Sequence, residues 1–211
     1  MTRDHILHRI RTALGRSAGE AVADPPPVRI RIPDVDCERR VDSFTTRLEA
    51  LAGKVYRVST PSEAGALVAQ FIEGKRAVAS NAPFLAECGI PALEGVESGI
   101  ADREQLRDCC AAAQIGITSA DYALADTGSL VMLSSRSEAR LVSLLPPAHI
   151  AVVPLGRLLT GLDELFTLLP HPAEVSSSMV VITGPSRTAD IEQILVRGVH
   201  GPGQITVVLV G

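Results

Sequence analysis

The sequence predicts a three-layer α/β/α domain built around a mostly parallel β-sheet. Segments whose apolar residues recur with helical spacing alternate with short apolar runs that are typical of buried strands. Glycines, prolines and helix-capping residues separate the two kinds of segment. With 211 residues, of which 46% are hydrophobic, the chain is long enough to bury a sizeable core.

The first predicted element is an amphipathic helix over residues 3–14. Four arginines and one aspartate give residues 1–16 a charge of +3, which leaves −7 for the rest of a chain of net charge −4. A targeting peptide would lack acids such as Asp4 and would need a different apolar pattern. We therefore interpret this helix as one that docks on the domain or on a partner.

Three prolines after Asp24 predict a stiff linker between this helix and the rest of the chain. The expected organisation is a terminal helix with its linker over residues 1–24 and a single α/β domain over residues 25–211.

Inside the domain, a capping box at Thr60-Pro61-Ser62-Glu63 predicts the start of one helix. Further helices are expected over residues 41–51 and from Asp102 onward. The apolar runs predict strands over residues 54–58, 76–79, 115–117, 130–133, 150–153, 179–182 and 205–210. The segments 115–118 and 129–134 are expected to pair as an antiparallel insertion, because a tight Asp-Thr-Gly connection lies between them.

The run 179–182 ends at Gly184-Pro185, and a helical pattern resumes near Asp190. A strand that turns into a helix leaves unpaired backbone N–H groups that can hold an anion. Ser186, Arg187 and Thr188 would add two hydroxyls and a guanidinium at this corner. Asp190 and the nearby Glu192 fit either the helix dipole or a catalytic role.

A second polar segment includes Thr118, Asp121 and the turn 126–129. Buried polar groups must either pair with one another or face a cleft. In a purely structural turn, Asp126 would accept backbone N–H bonds and Gly128 would supply a positive φ. The Asp-Thr-Gly-Ser string also occurs in aspartic proteases, but these need two such carboxylates and the chain has one copy.

Two histidines and two arginines leave structural and functional interpretations open. His149 precedes an apolar strand and is interpreted as a structural histidine, whereas His200 lies in a loop that could carry function. Arg136 and Arg140 could flank an anionic ligand or form a solvated face.

Composition excludes several functions. Aromatic residues make up 3% and the net charge is −4, which argues against nucleic-acid binding. No apolar run is long enough for a membrane span, and we expect a cytoplasmic protein. The four cysteines show no iron–sulfur or metal spacing and are expected to be reduced thiols, so the cofactor stays unknown.

The ordered motifs at 116–121, 125–131, 140–154, 182–192 and 198–202 closely resemble the lactate-utilisation protein C family, the stand-alone LUD-domain family. The resemblance implies a fold like that of the glucosamine-phosphate deaminase, ribose-phosphate isomerase and CoA-transferase group. It also implies a role in bacterial L-lactate oxidation to pyruvate, with two iron–sulfur partner proteins. Members usually carry Thr-Gly-Thr after the acid at the turn, where this chain has Thr127-Gly128-Ser129. The resemblance assigns no catalytic residues.

Three functions are compatible with this resemblance. The first is a cluster-free subunit of an L-lactate-oxidising complex that binds a small anionic substrate of the lactate or pyruvate class. The second is a free-standing isomerase-like or CoA-transferase-like enzyme, and the third is a non-catalytic assembly module. The candidate catalytic residues are Asp121 and Asp126, with His200 as the runner-up. The candidate substrate-binding residues are Thr118, Thr127, Gly128, Ser129, Gly184, Ser186, Arg187 and Thr188.

Overall fold

A computed structural model describes residues 2–17, 19, 32–189 and 195–211. The chain divides into two units, Met1–Arg31 and Ile32–Gly211. The first unit contains helix α1 (Arg3–Ala13), in which the hydroxyl of Thr2 accepts a hydrogen bond from the backbone of His5. The predicted linker and the proposed boundary at residue 24 lie outside the described residues.

The second unit alternates helices and strands as the sequence predicts. Its helices are α2 (Cys37–Ala50), α3 (Pro61–Ile72), α4 (Pro83–Glu87), α5 (Arg103–Ala112), α6 (Arg140–Leu144), α7 (Leu162–Leu168) and α8 (Pro172–Val175). Its strands are β1 (Lys54–Val58), β2 (Ala77–Ala79), β3 (Val96–Glu97), β4 (Ile115–Ser119), β5 (Tyr122–Leu124), β6 (Ser129–Leu133), β7 (Ala148–Pro154), β8 (Leu158–Leu159), β9 (Met179–Ile182), β10 (Arg187–Ala189), β11 (Leu195–Arg197) and β12 (Gln204–Val210).

The main sheet has the order β1-β12-β7-β4-β2-β3 within the described residues, and all of its neighbours are parallel. Its strands therefore end together at one edge, the carboxyl edge, and begin together at the opposite amino edge. Alternate side chains enter two core layers. Helices α3 and α4 cover one face, and α2 with a smaller second sheet covers the other. The predicted three-layer, mostly parallel fold is confirmed.

The second sheet has the order β8-β5-β6-β9, with β6 antiparallel to both β5 and β9. The predicted antiparallel insertion therefore exists, but the partner of β6 is β5 and not the segment 115–118. That segment is β4, in the middle of the main sheet. Gly116 allows this position, because a Cβ there would come within 1.9 Å of the carbonyl oxygen of Val142.

The expected strand-to-helix corner after β9 is wrong in two respects. β9 belongs to the second sheet, so its end does not lie at the carboxyl edge of the parallel sheet. Residues 187–189 also form strand β10, which pairs antiparallel with β11, rather than leading into a helix. The ladder uses backbone groups that a helix start would leave unpaired. Residues 190–194, including Asp190 and Glu192, lie outside the described part of the chain.

The predicted capping box is confirmed. The hydroxyl of Thr60 accepts a hydrogen bond from the backbone N–H of Glu63 over 3.2 Å. The carboxylate of Glu63 in turn accepts from the N–H of Ser59 over 2.8 Å. These reciprocal bonds set where α3 begins, and hence where β1 ends.

Candidate functional site

Two of the predicted polar segments meet beside helix α2. The hydroxyl of Ser129 is hydrogen-bonded to the hydroxyls of both Thr127 and Thr183, each over 2.8 Å. Gly128 has a φ of +67°, and a Cβ on it would lie 2.6 Å from the backbone nitrogen of Leu48 in α2. The turn therefore pairs its own polar groups and packs tightly on the helix.

Asp126 lies on the exposed side of this turn. Its backbone N–H donates to the carbonyl of Thr160 over 3.0 Å, and its carboxylate lies directly against Gly161. The carboxylate is thus held at the surface, about three strand residues away from Asp121 along β5.

The corner around Arg187 supports the end of α2. The guanidinium of Arg187 donates a hydrogen bond to the carbonyl of Leu51, one residue beyond α2. Gly184 has a φ of +78° and packs on the side chain of the same leucine. The backbone N–H of Ser186 donates to the carbonyl of Pro202, and the side chain of Thr188 is outside the described set. An arginine on a terminal carbonyl stabilises a helix C-terminus.

His200 and Asp121 lie at opposite edges of the main sheet. His200 is exposed in the loop before β12, and Gly203 of this loop donates to Pro147 just before β7. Asp121 follows the carboxyl end of β4. A strand of the length of β12 spans about 20 Å. The structure therefore does not bring His200 into a cleft with Asp121.

Thr118 is fully buried beneath the second sheet, and its hydroxyl lies 2.8 Å from Nε2 of His149. Burial lowers the pKa of His149 to about 4, so the ring is neutral at physiological pH. Its Nδ1 has no hydrogen-bond partner among the described residues. This environment agrees with the interpretation of His149 as a structural histidine.

Asp121 is the predicted residue that reaches the carboxyl edge. Its Oδ2 accepts a hydrogen bond from the N–H of Leu133 over 2.6 Å. Burial raises the pKa of this carboxyl group, while the N–H of Leu133 and the charge of Arg157 oppose the shift. Arg157 lies over the ring of Tyr122, with its guanidinium carbon 5.3 Å from the ring centroid.

Glu138 is the residue that sequence reasoning missed. It lies in the loop between β6 and α6 and is 6% exposed, and its Oε2 accepts a hydrogen bond from Ser80 over 2.8 Å. Burial raises its pKa to about 8, with a further contribution from Asp121, although bonds from Ser80 and the backbone of Ser119 oppose the shift. Its Oε1 has no partner among the described residues. One signal was available, because Glu138 is the only acidic residue between Asp126 and Asp163.

Two cavities flank the loop that carries Glu138. The small cavity has a volume of about 350 Å³, and its lining includes Asp121, Glu138 and Arg157. The arginine cavity has a volume of about 670 Å³, and its lining includes Arg103, Arg136, Glu138 and Arg140. Open α/β sheets bind ligands at the carboxyl ends of their strands, which is where Ser80 and Asp121 follow β2 and β4.

No metal centre or membrane span is found where the structure describes the chain. Residues 2–17, 19, 32–189 and 195–211 contain no cluster of three or more potential metal ligands. No helix in the same ranges is long and apolar enough to cross a bilayer. The four cysteines are free thiols, and burial raises the pKa of Cys88 and of Cys110 to about 11.

The model of the LUD domain family matches residues 41–210. Lactate utilization protein C of Halalkalibacterium halodurans is 43% identical over 103 residues, which cover 47% of this chain and 45% of that protein. The protein of the same name in Bacillus subtilis strain 168 is 41% identical over 102 residues, covering 46% of this chain and 42% of the relative.

The match to these curated relatives spans about half of their length. A solved structure of a DUF162 family protein from Deinococcus radiodurans superimposes with a TM-score of 0.64 and 18% identity, over 84% of this chain and 99% of that one. This likeness supports the fold. Because the family model covers most of the second unit, the chain belongs to the LUD domain family.

Proposed function

We propose that this protein acts in lactate utilisation and binds a small 2-hydroxy or 2-keto acid in the small cavity. The relatives named lactate utilization protein C support the role. The observation that carries the site is the grouping of Asp121, Glu138 and Arg157 around one cavity at the carboxyl edge.

One guanidinium group, that of Arg157, and three carboxyl groups, those of Glu87, Asp121 and Glu138, line the small cavity. The exposed guanidinium of Arg157 would pair with the substrate carboxylate. The oxygen at C2 would then face Asp121 and Glu138, whose carboxyl groups both have raised pKa values. Asp121 is the candidate base for the 2-hydroxyl proton, because burial raises the pKa of its carboxyl group and so makes its carboxylate a stronger base than that of an exposed aspartate.

We further propose that the protein acts in an L-lactate-oxidising complex. The protein would be the subunit without iron–sulfur clusters, in the cytoplasm, and two iron–sulfur partner proteins would carry the electrons released when L-lactate becomes pyruvate. Its cysteines, which lack cluster spacing in the sequence, are consistent with this division of labour.

The turn 126–129 and the corner 183–187 form a second candidate anion site, because the bond between Ser129 and Thr183 joins them. Asp126 and Arg187 would be its charged groups. The bond from Arg187 to Leu51 supports a structural role for this corner, so we rank it below the small cavity.

An acyl-transferring enzyme is a second candidate function. It would need a glutamate nucleophile, and Glu138 lies at the carboxyl edge in the lining of the small cavity. Turnover of acyl-CoA donors by the purified protein alone would favour this function over the lactate role.

Deletion of the gene in its source organism tests the lactate role. We expect loss of growth on L-lactate as sole carbon source; normal growth, with no paralogue present, contradicts the role. Rescue constructs with Asp121→Asn or Arg157→Ala test the site and are expected to fail. The control is Arg107→Ala, which changes an exposed arginine paired with Asp108 and should restore growth.

Thermal unfolding of the purified protein tests ligand binding in the small cavity separately from the role in lactate utilisation. A ligand of the native state raises the apparent melting temperature. We expect pyruvate or L-lactate to raise it for the native sequence and not for Arg157→Ala. If the deletion abolishes growth but neither acid shifts the melting temperature, the role stands and the small cavity is wrong.

A further inference from the structure

We propose that the arginine cavity is a second ligand site, which binds a phosphate ester of nucleotide size. Arg103, Arg136 and Arg140 would hold the phosphates, and an apolar wall would hold the organic group. This inference does not depend on the proposed function, because Arg103, Arg136 and Arg140 line the arginine cavity and not the small cavity; Glu138 lines both.

The cationic side of the cavity comes from three separate elements. Arg103 opens α5, Arg136 lies in the loop after β6, and Arg140 opens α6. All three are exposed, and none of them forms a salt bridge with any residue in the described ranges. Three uncompensated guanidinium groups around one cavity attract a ligand with more than one negative charge.

Glu138 is the acidic residue of the described lining, and it does not cancel this positive charge. Its pKa of about 8 keeps the carboxyl group mainly neutral at pH 7. A neutral carboxyl group does not repel a phosphate as a carboxylate would.

Two buried polar atoms in the lining residues have no partner. The hydroxyl of Ser134 and Oε1 of Glu138 are inaccessible to solvent and form no hydrogen bond within the described residues. Both residues line the arginine cavity. Because nearly all buried polar atoms in native structures have a partner, two unpartnered atoms in the lining residues point to a missing ligand or water.

The size of the cavity selects the class of ligand. Its volume of about 670 Å³ lies inside the usual range for ligands of drug size, and it is nearly twice that of the small cavity. Ile100, Leu106 and Leu141 provide an apolar wall, which a bare inorganic anion would leave unused. A phosphate ester with an organic group of nucleotide size satisfies both the charges and the wall.

Isothermal titration calorimetry on the full chain tests this site with three probes: ADP, glycerol 3-phosphate and inorganic phosphate. We expect ADP to bind most tightly and inorganic phosphate most weakly, since only ADP fills the cavity. Affinity for ADP should fall when the ionic strength rises, because salt screens the guanidinium charges.

The double variant Arg136→Ala/Arg140→Ala is expected to weaken ADP binding at least tenfold. Both side chains are exposed, and unfolding curves will check that the variant keeps its fold. The matched control is Arg107→Ala, one helical turn beyond Arg103 on α5 and absent from this lining; it should bind ADP as the native protein does.

Three results would overturn the inference. They are no measurable heat with ADP at millimolar concentration, inorganic phosphate binding as tightly as ADP, and ADP affinity unchanged in the folded double variant.

Discussion

The hydroxyl of Ser80 donates a hydrogen bond to Oε2 of Glu138 over 2.8 Å, and both side chains are buried. The bond connects the residue that follows β2 to the loop between β6 and α6. A second bond, from the N–H of Asn81 to the carbonyl of Ser137, holds the same two segments together. A carboxyl group with a pKa of about 8 is thereby placed between two cavities at the carboxyl edge.

Glu138→Gln should change how stability depends on pH. The folded state holds the proton of Glu138 up to about pH 8, whereas the unfolded chain releases it near pH 4.5. Stability from this group is therefore complete below pH 4.5 and is lost as the pH rises to 8, by up to about 1.4 kcal/mol per pH unit. We expect urea unfolding to show that the native protein loses about a few kcal/mol of unfolding free energy between pH 5 and pH 8. Glu138→Gln, which has no titrating carboxyl group at this position, should not show this loss.

The groups near Glu138 support the attribution of the pH-dependent stability to this residue. Asp121 is the titratable neighbour that raises the pKa of Glu138. Ser80→Ala is the control, because it keeps the titrating carboxyl group and should retain the pH-dependent loss. Parallel pH profiles for the native protein and Glu138→Gln would contradict the prediction.

His149→Leu should remove an acid sensitivity of the fold. The pKa of the buried imidazole is about 4, against 6.5 for an ordinary histidine. Between pH 6.5 and pH 4 the imidazole is therefore protonated in the unfolded chain but not in the folded state. This group therefore costs stability as the pH falls from 6.5 to 4. Denaturant unfolding at pH 7 and pH 4.5 should show a smaller acid loss for the variant than for the native protein.

Thr118→Val is the matched control for this experiment. It removes the 2.8 Å contact to Nε2 but keeps the buried ring, so its acid loss should resemble that of the native protein. An equal acid loss in His149→Leu would mean that His149 is not the group responsible.

Gly128→Ala should destabilise the fold more than a positive φ alone would. A side chain at the φ of +67° costs about 1–2 kcal/mol, and the added Cβ would also lie 2.6 Å from the backbone of α2. Gly89→Ala provides the comparison, because Gly89 has a φ of +71° but nothing within 4 Å of its Cβ position. Equal losses of unfolding free energy in the two variants would show that the contact with α2 is unimportant.

Arg187→Ala should lower stability without removing ligand binding. Loss of the bond to Leu51 is expected to cost about 0.5–1.5 kcal/mol of unfolding free energy. Arg47→Ala, an exposed arginine in the last turn of α2, should cost less. If Arg187→Ala instead keeps its stability but loses a melting shift caused by pyruvate or lactate, the corner is the anion site.

Local patterns in the sequence predicted the longer helices and most strands of the fold. Helical spacing, the capping box at Thr60 and the apolar runs predicted α1, α2, α3, α5 and most strands, because these signals act within a few residues; the short helices α4, α6, α7 and α8 were not predicted. The partner of β6 was wrong, since the three-residue strand β5 is too short to be recognised and β4 is equally apolar. The helix after Ser186 was also wrong, because pairing with residues 195–197 overrides local preference.

The candidate site depends even more on contacts between distant residues, which local sequence patterns do not predict. The sequence by itself determined the family resemblance, the α/β class and the polar segments at 118–129 and 183–188. Only the tertiary structure decided that Asp121 lies at the carboxyl edge while His200 lies at the other, and that Arg187 supports α2. It also decided the environment of Glu138, because the partner of this carboxyl group is Ser80, 58 residues away. A pKa depends on burial and on neighbours in space, and the residues next to Glu138 in the sequence determine neither of these.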